Sequence, residues 1–169
     1  MALLPILQWP DARLSAPCAL VAPQDELSSL ITDMFETMYA APGRGLAAPQ
    51  VGVLKRLFVM DVTWKEGTPT PMVMINPEIL SFGTAVESGD EGCLSIPGVV
   101  ASVLRPTSVT LRWQDAERAW QEGSFDGFAG RCIQHEYDHL DGRVTFDRLA
   151  PEPRVEAEDT YRRHLETPV

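Results

Sequence analysis

The segment HEYDH, residues 135–139, constrains this chain more than any other feature of its sequence. In a helix, His135 and His139 stand one turn apart and can offer two imidazoles to one metal ion. Glu136 then lies beside the ion rather than on it. The pattern predicts a helix with a metal-binding face and a carboxylate suited to acid–base chemistry.

The flanking residues give this helix its predicted bounds, from about residue 127 to Leu140. Asp126 stands where an N-cap is expected, and Gly142 stands where the chain must leave the helix. Gly130 inside the helix costs about 1 kcal/mol relative to alanine. The helix is therefore predicted as a well-delimited element.

Helical spacing divides this element into two neighbouring faces. One face carries Phe128, Cys132, His135 and His139, and the other carries Ala129, Ile133, Glu136 and Leu140. Because the second face is otherwise apolar, Glu136 is expected to be partly buried. Burial would raise the pKa of its carboxyl group toward neutrality, although a nearby metal cation would oppose that rise.

A catalytic metal site needs a third protein ligand, and the residues alone leave its position open. The extended histidine motif of one class of zinc peptidases would place it at position 145, which is Thr145. Carboxylates in the tail are further candidates: Glu152, Glu156 and Glu158. Upstream, the segment 91–95 offers the thiolate of Cys93 next to Gly92, which permits close approach of a backbone. We expect the ligand upstream, because the predicted tail lacks a strong apolar stripe.

Composition excludes several classes of protein. With 169 residues, 44% of them apolar, the chain is long enough for one packed domain. Its 14 Lys and Arg against 24 Asp and Glu give a formal charge of -10, the wrong sign for holding a nucleic-acid backbone. Three scattered cysteines favour a reducing compartment. The sequence shows no basic leader and no apolar run of membrane-spanning length, so we expect a cytoplasmic protein with no membrane or nucleic-acid partner.

The rest of the chain mixes predicted helices and strands. Apolar residues at helical spacing predict a core helix over residues 25–41 with Asp25 as its cap, and the glycine-rich segment 43–52 predicts a loop. The predicted strands cover residues 56–62, 71–79, 108–113 and, more briefly, 144–149. The expected class is α+β, a compact single domain with small mixed or antiparallel sheets around the helix that contains HExxH.

Three motifs occur in order along the chain, GRGLAAPQ at residues 43–50, EGCLS at 91–95 and QHEYDHL at 134–140. Together they resemble the motifs of the peptide deformylase family. The likeness extends to the opening PILQWPDARL, to the strand ending in INPEI and to FDRL after the histidines. It covers residues 1–150 as a deformylase-like catalytic domain and leaves 151–169 as a polar C-terminal tail, expected to be partly helical.

The resemblance implies a metal-dependent hydrolase that removes the formyl group from the N-terminal formyl-methionine of newly made polypeptides. It assigns one divalent ion to Cys93, His135 and His139, with water as the fourth ligand. Fe(II) is the ion that it favours, and Zn(II), Ni(II) and Co(II) are others that such a site accepts. Formate and a free amine are the products.

The same resemblance assigns roles around the metal. Glu136 takes a proton from the water and passes it to the departing amine. The metal, the side-chain amide of Gln50 and the backbone N–H of Leu94 stabilise the developing oxyanion. Asp138 is left open between a residue that orients a ligand and a solvated residue of the helix face.

Substrate contacts follow from the same motifs. Gly45 matches the position whose backbone pairs with the extended peptide, Gly92 adjoins the metal ligand, and the methionine pocket includes Phe128 and Cys132. Arg44 stands where the family usually has a small apolar residue lining the cleft. It would either attract an acidic group of the peptide or fold back toward solvent. Nascent formyl-methionyl peptides are the implied partners, together with the ribosome that bears them.

Two other functions are kept as alternatives. Arg44 favours a divergent deformylase paralogue with weak or altered activity, whereas the presence of Glu136 and Gln50 argues against it. An HExxH metallopeptidase that cuts internal bonds is the second alternative. Its usual third histidine is missing, since position 145 is threonine.

Overall fold

The structure is a computed structural model that describes residues 2–167. Its main element is an antiparallel sheet of five strands. The strand order in this sheet is β1-β2-β3-β6-β7, and a separate hairpin pairs β4 with β5. The strands are β1 (Gly45–Ala47), β2 (Leu57–Met60), β3 (Met72–Phe82), β4 (Val86–Cys93), β5 (Ile96–Pro106), β6 (Ser108–Gln114) and β7 (Trp120–Asp126). The helices are α1 (Ser28–Ala40), α2 (Gly127–Leu140) and α3 (Pro151–Glu166). The predicted α+β class is confirmed.

Strand β6 shows why the main sheet forms. Polar and apolar residues alternate along it, and Val109, Leu111 and Trp113 are buried while their neighbours are half-buried. The two strands predicted earlier in the chain, β2 and β3, pair antiparallel in the same sheet, with Phe58 opposite Met74. One face of the sheet therefore supplies an apolar surface for α2.

Helix α1 starts later than predicted. It begins at Ser28, and Asp25 does not cap it. The Asp25 carboxylate instead accepts a hydrogen bond from the Ala22 N–H at 2.9 Å and pairs with Lys55 Nζ at 2.6 Å. The predicted apolar face is confirmed at Met34 and Met38, whose side chains are fully buried.

The prediction of a loop over residues 43–52 was wrong in part. Residues Gly45–Ala47 form β1, which pairs with β2, and a short 3-10 helix follows over Ala48–Val51. Leu46 and Ala47 are fully buried, so their backbone groups need hydrogen-bond partners, which the pairing with β2 and the Gln50 side chain supply. Of the three glycines in this segment, Gly52 has a positive φ, at 86°.

The short strand predicted over residues 144–149 is a 3-10 helix over Thr145–Arg148. Asp147 decides this locally, because its side chain accepts a hydrogen bond from the Val144 N–H at 2.8 Å and its own N–H donates to the Val144 carbonyl at 3.0 Å. This turn buries Phe146 against Trp9, with ring centroids 4.9 Å apart.

The tail folds as helix α3, which one aromatic side chain attaches to the core. Tyr161 is 1% exposed, and its hydroxyl donates to the Trp9 carbonyl at 2.7 Å. Its ring also packs edge-on against Phe146. Over residues 2–167, none of the helices combines the length and the apolar character that crossing a membrane requires.

Helix α2 has the predicted bounds and lies between the main sheet and the β4–β5 hairpin. Asp126 occupies the N-cap position without a capping hydrogen bond from its side chain, and Gly142, with φ of 75°, follows the C-terminus. Gly130 is explained by packing, since a Cβ there would lie 2.8 Å from the Phe125 carbonyl oxygen. Glycine lets the helix approach the end of β7 closely.

Candidate metal centre and substrate cavity

Three predicted ligands come together at the end of the β4–β5 hairpin. Cys93 ends β4, His135 and His139 come from α2, and their ligand atoms all lie within 4.8 Å of one another. Cys93 Sγ is 3.5 Å from His139 Nε2. An irregularity in strand pairing between Gly92 and Cys93 leads into the turn that presents the thiol. The acidic side chains of the tail lie on α3 and are not part of this group.

The chemistry of these donors suits a divalent transition metal. One thiol and two imidazoles are the soft and borderline ligands that Fe(II), Zn(II), Ni(II) and Co(II) accept. Burial lowers the pKa of His139 well below its usual value, and the charges of His135 and Arg105 lower it further. His139 is therefore a neutral imidazole with a free lone pair, and its Nδ1 has no hydrogen-bond partner among the described residues. The residues fit the metal that the motif predicts.

Glu91 fixes the orientation of His135. Its Oε1 lies 2.9 Å from His135 Nδ1, which leaves the other ring nitrogen available to a metal ion. We call the set of Cys93, His135 and His139 the metal group. Arg105 donates to both oxygens of Glu91, at 2.6 and 2.9 Å, and Arg131 donates at 2.8 Å. Burial by itself would raise the pKa of Glu91, but the hydrogen bonds from His135 and Arg105 outweigh it and lower the pKa to about 2. Glu91 is a permanent anion behind the candidate ligand His135.

Asp138 extends this ion-pair network behind α2. It is 5% exposed, which excludes the solvated alternative. Arg105 Nη1 donates to it at 3.0 Å, and Arg148 Nε donates at the same distance. Sequence reasoning missed Arg105, although the period of two along β5 places it on the same face as the buried Ala101 and Val103.

Glu136 faces the cavity side of the metal group. It is 4% exposed, and its Oε1 has no hydrogen-bond partner among the described residues. Burial raises its pKa to about 7, although the charge of His135 lowers it in part. Gly45 is the residue that gives it room, because a Cβ there would lie 2.6 Å from Glu136 Oε2. The predicted burial of Glu136 is confirmed and is more complete than expected.

Gln50 connects the short 3-10 helix after β1 to the cysteine turn. Its Oε1 accepts the Ala47 N–H at 2.9 Å, and its Nε2 donates to Ser95 Oγ at 3.0 Å. The same nitrogen lies 3.7 Å from Cys93 Sγ. The amide is thus held by its own segment through oxygen and directed to the metal group through nitrogen. Ser95, which sequence reasoning did not single out, completes this arrangement.

A cavity of about 390 Å³ adjoins the metal group. Its walls include every predicted substrate residue: Arg44, Gly45, Gly92, Phe128 and Cys132. Leu94 and Gln50 line it as well, together with two cations that the sequence analysis did not assign, Lys65 and Arg131. Apart from His139, which joins the site through the ligand group, the predicted site residues therefore share one concave surface.

The Arg44 side chain spans part of the cavity wall. Its Nη1 donates to the Val62 carbonyl at 3.1 Å, and its Nη2 pairs with Glu66 at 2.9 Å. Its guanidinium also lies 5.1 Å from the centre of the Phe128 ring. Arg44 is therefore held by contacts with two segments rather than extended into solvent.

A family model and the sequence relatives of this chain point to the same protein family. Residues 3–155 match the model of polypeptide deformylase. A peptide deformylase of Xylella fastidiosa (strain M12) is 47% identical over 174 residues, covering 98% of this chain and 96% of that protein.

Solved structures agree with the sequence relatives. A peptide deformylase from Legionella pneumophila superposes with a TM-score of 0.91 at 39% identity, covering 98% of this chain and 96% of that one. A peptide deformylase from Synechococcus elongatus, solved in complex with actinonin, gives a TM-score of 0.88 at 42% identity, covering 92% and 86%.

Proposed function

The chain belongs to the polypeptide deformylase family, and from that premise we propose how its own residues remove the formyl group from N-terminal formyl-methionine. The observation that supports the proposal most directly is the meeting of Cys93, His135 and His139 beside Glu136, whose Oε1 has no hydrogen-bond partner within residues 2–167. A metal-dependent hydrolysis of a linear amide needs these components: three ligands, and a carboxylate able to exchange a proton.

Cys93, His135 and His139 would hold one divalent ion, which supplies Lewis acidity to the formyl carbonyl and to the attacking water. Glu91 keeps the ring of His135 in position through its hydrogen bond to Nδ1. Of the ions that this ligand set accepts, we propose Fe(II), as the resemblance implies, with Zn(II), Ni(II) and Co(II) as substitutes.

Glu136 acts as the general acid and base. Its buried carboxylate takes a proton from the attacking water and then passes that proton to the amine nitrogen as the carbon–nitrogen bond breaks. Its pKa of about 7 in the absence of metal shows how strongly burial acts on it, and a nearby cation would lower that value. Water and the formyl amide are converted to formate and a free N-terminal amine.

Two neutral donors stabilise the negative charge that develops on the formyl oxygen. The Gln50 amide is already fixed by Ala47 and Ser95 before any charge appears. The Leu94 backbone N–H comes from the turn that follows Cys93. Preorganised donors of this kind are worth about 3 to 4 kcal/mol each.

Strand β1 aligns the substrate peptide. It lies at the edge of the sheet, paired with β2 on one side, and Gly45 lines the cavity on the other. A peptide added along this edge pairs through its backbone while its methionine side chain enters the pocket next to Phe128 and Cys132. We propose nascent formyl-methionyl chains as the substrates, and with them the cytoplasm and the ribosome as the setting.

Formate release from formyl-Met-Ala-Ser tests the proposal. The protein is purified without oxygen and reloaded with Fe(II) or Ni(II), and its metal content is measured in the same sample. We expect rapid formate release with about one metal per chain, and no release of acetate from the matched acetyl-Met-Ala-Ser peptide.

Other outcomes would favour the alternatives. Absent release from a folded, fully metallated protein would favour a divergent paralogue, the alternative that Arg44 supports by its place in the cavity wall. Cleavage of internal bonds in an unformylated peptide would favour a metallopeptidase.

A further inference from the structure

One wall of the cavity carries two cations, although the protein as a whole has a formal charge of -10. Arg44 and Lys65 both line this wall, which we call the cationic wall. Lys65 is exposed, its ammonium lies 5.7 Å from the centre of the Trp64 ring, and it pairs with no carboxylate among residues 2–167. A free ammonium group at the mouth of a binding cavity is available to a ligand.

Several contacts hold the cationic wall against β1. Trp64 Nε1 donates to the Gly43 carbonyl at 2.9 Å, and the Asp61 N–H donates to the Arg44 carbonyl at 2.9 Å. The segment that bears Lys65 is thus fixed to the strand that aligns the substrate. Its position relative to a bound peptide is set by the fold.

The direction of the peptide follows from the strand. Because the Arg44 carbonyl points toward β2, the alternation of an antiparallel pair directs the backbone groups of Gly45 to the open edge. Gln50, beside the metal group, follows Gly45 in the chain, and Arg44 precedes it. The formyl end lies near Gln50, so the residues that follow methionine run toward the cationic wall.

The ion pair between Arg44 and Glu66 does not prevent Arg44 from binding a second carboxylate. The Glu66 side chain is 59% exposed and the Arg44 side chain 27% exposed, and solvent weakens an ion pair of this exposure. A substrate carboxylate can therefore replace Glu66 at small cost and gain the paired N–H donors of a guanidinium group. Asp90 lies in the lining of the same cavity and opposes this attraction, whereas Arg131 is already occupied by Glu91.

We propose that the cationic wall makes this enzyme select formylated chains with an acidic side chain at one of the two residues after methionine. The proposal rests on the deformylase function given above and names a substrate class for the same site. Arg44 and Lys65 are the residues that determine the preference, and Glu66 competes with the substrate for Arg44.

Isosteric peptide pairs test the preference. We compare kcat/KM for formyl-Met-Asp-Ala with formyl-Met-Asn-Ala, and for formyl-Met-Ala-Asp with formyl-Met-Ala-Asn. We expect at least one acid-to-amide ratio of about 10 at low ionic strength, falling as salt screens the charges. Ratios within about twofold of one for both pairs, in a protein that turns over all four peptides, would overturn the preference alone. Turnover of none of the four by the metal-loaded protein would overturn the deformylase function and the preference together.

Three variants locate the effect. R44Q and K65Q are expected to lower the acid-to-amide ratio toward one, whereas E66Q is expected to raise it, because it frees Arg44. These opposite signs are not expected from a loss of structure. Lys55→Gln, which removes a cation paired with Asp25 outside the cavity, is the matched control and should leave the ratio unchanged. Should R44Q fail to fold, the exposed positions 65 and 66 still decide the outcome, and unchanged ratios in both K65Q and E66Q would overturn the proposal.

Discussion

Two buried carboxylates lie on opposite sides of His135 and behave in opposite ways. Glu91 is 7% exposed and Glu136 is 4% exposed, so both have lost nearly all contact with solvent. Glu91 accepts hydrogen bonds from Arg105, Arg131 and His135, and its pKa falls to about 2. Glu136 has one oxygen without a hydrogen-bond partner in the part of the chain that the structure describes, and its pKa rises to about 7. Burial alone does not decide the charge of a carboxylate, because the partners supplied by the fold do.

The difference extends to the two sides of α2. Behind the helix, Arg105 and Asp138 continue a network in which each charge is paired. In front of it, Gly45 and the cavity leave Glu136 Oε1 without a hydrogen-bond partner among the described residues. The paired charges behind α2 hold His135 in position, whereas the Glu136 carboxylate in front of α2 is left able to exchange a proton.

Glu136→Gln removes the carboxylate to which we assign the proton exchange and should have the largest effect. Gln keeps the shape but cannot carry the proton, so turnover of formyl-Met-Ala-Ser should fall by about 10³-fold. Metal content, measured on the same sample, should not change. The raised pKa of Glu136 means that ionising this carboxylate destabilises the metal-free fold as the pH rises from about 4.5 through 7. Glutamine does not ionise, so the metal-free variant should be at least as stable as the metal-free parent at pH 8. Activity within about tenfold of the parent would contradict the role of Glu136.

Glu91→Gln breaks the paired side instead. It removes the anion that Arg105 and Arg131 share, so Arg105 keeps only Asp138 and Arg131 keeps no carboxylate partner among the described residues, which should cost about 3 kcal/mol in the free energy of unfolding. The His135 ring also loses its orienting acceptor, so metal affinity should fall by about 10- to 100-fold. Urea unfolding and metal competition titrations measure the two effects. As a control, Glu78→Gln removes the partner of an exposed pair with Arg112 and should change stability by less than about 1 kcal/mol.

The stability contributions of the two carboxylates should change in different pH ranges. The folded pKa of Glu91 lies below its usual value of 4.5, so its contribution to stability is complete above about pH 4.5 and is lost as the pH falls toward 2. The full contribution corresponds to about 3 kcal/mol. Stability measured between pH 6 and pH 2.5 should therefore fall more steeply in the parent than in Glu91→Gln. Parallel curves would show that Glu91 is not a strongly paired anion in the folded protein.

Gly45→Ala tests how tightly Glu136 is enclosed, and its expected effect is the smallest. The added Cβ would lie 2.6 Å from Glu136 Oε2 and 2.9 Å from Cys132 Sγ, which should destabilise the fold by about 1 to 3 kcal/mol. Gly92→Ala is the matched control for stability, since a Cβ there has nothing within 4 Å. Equal thermal midpoints for the two variants would argue against close packing at Gly45.

Local patterns made much of the fold predictable. The period of two in β6 and the helical spacing of α2 depend on neighbours in sequence, and both elements lie where they were expected. The strand β1 was missed because its pairing partner, β2, begins ten residues after β1 ends. The turn at Thr145 was missed because the alternation there is too short to outweigh the hydrogen bonds of Asp147.

The sequence by itself determined the pair of imidazoles one turn apart, the apolar face that buries Glu136, and the motifs by which the family is identified. Only the tertiary structure decided that Cys93 reaches those imidazoles, that Arg105 and Arg131 neutralise Glu91, and that the cationic wall lies beside β1. The physical reason is that helical spacing is fixed by backbone geometry over a few residues. Contacts between distant segments are fixed by packing and by the cost of leaving buried charges such as Glu91 without partners.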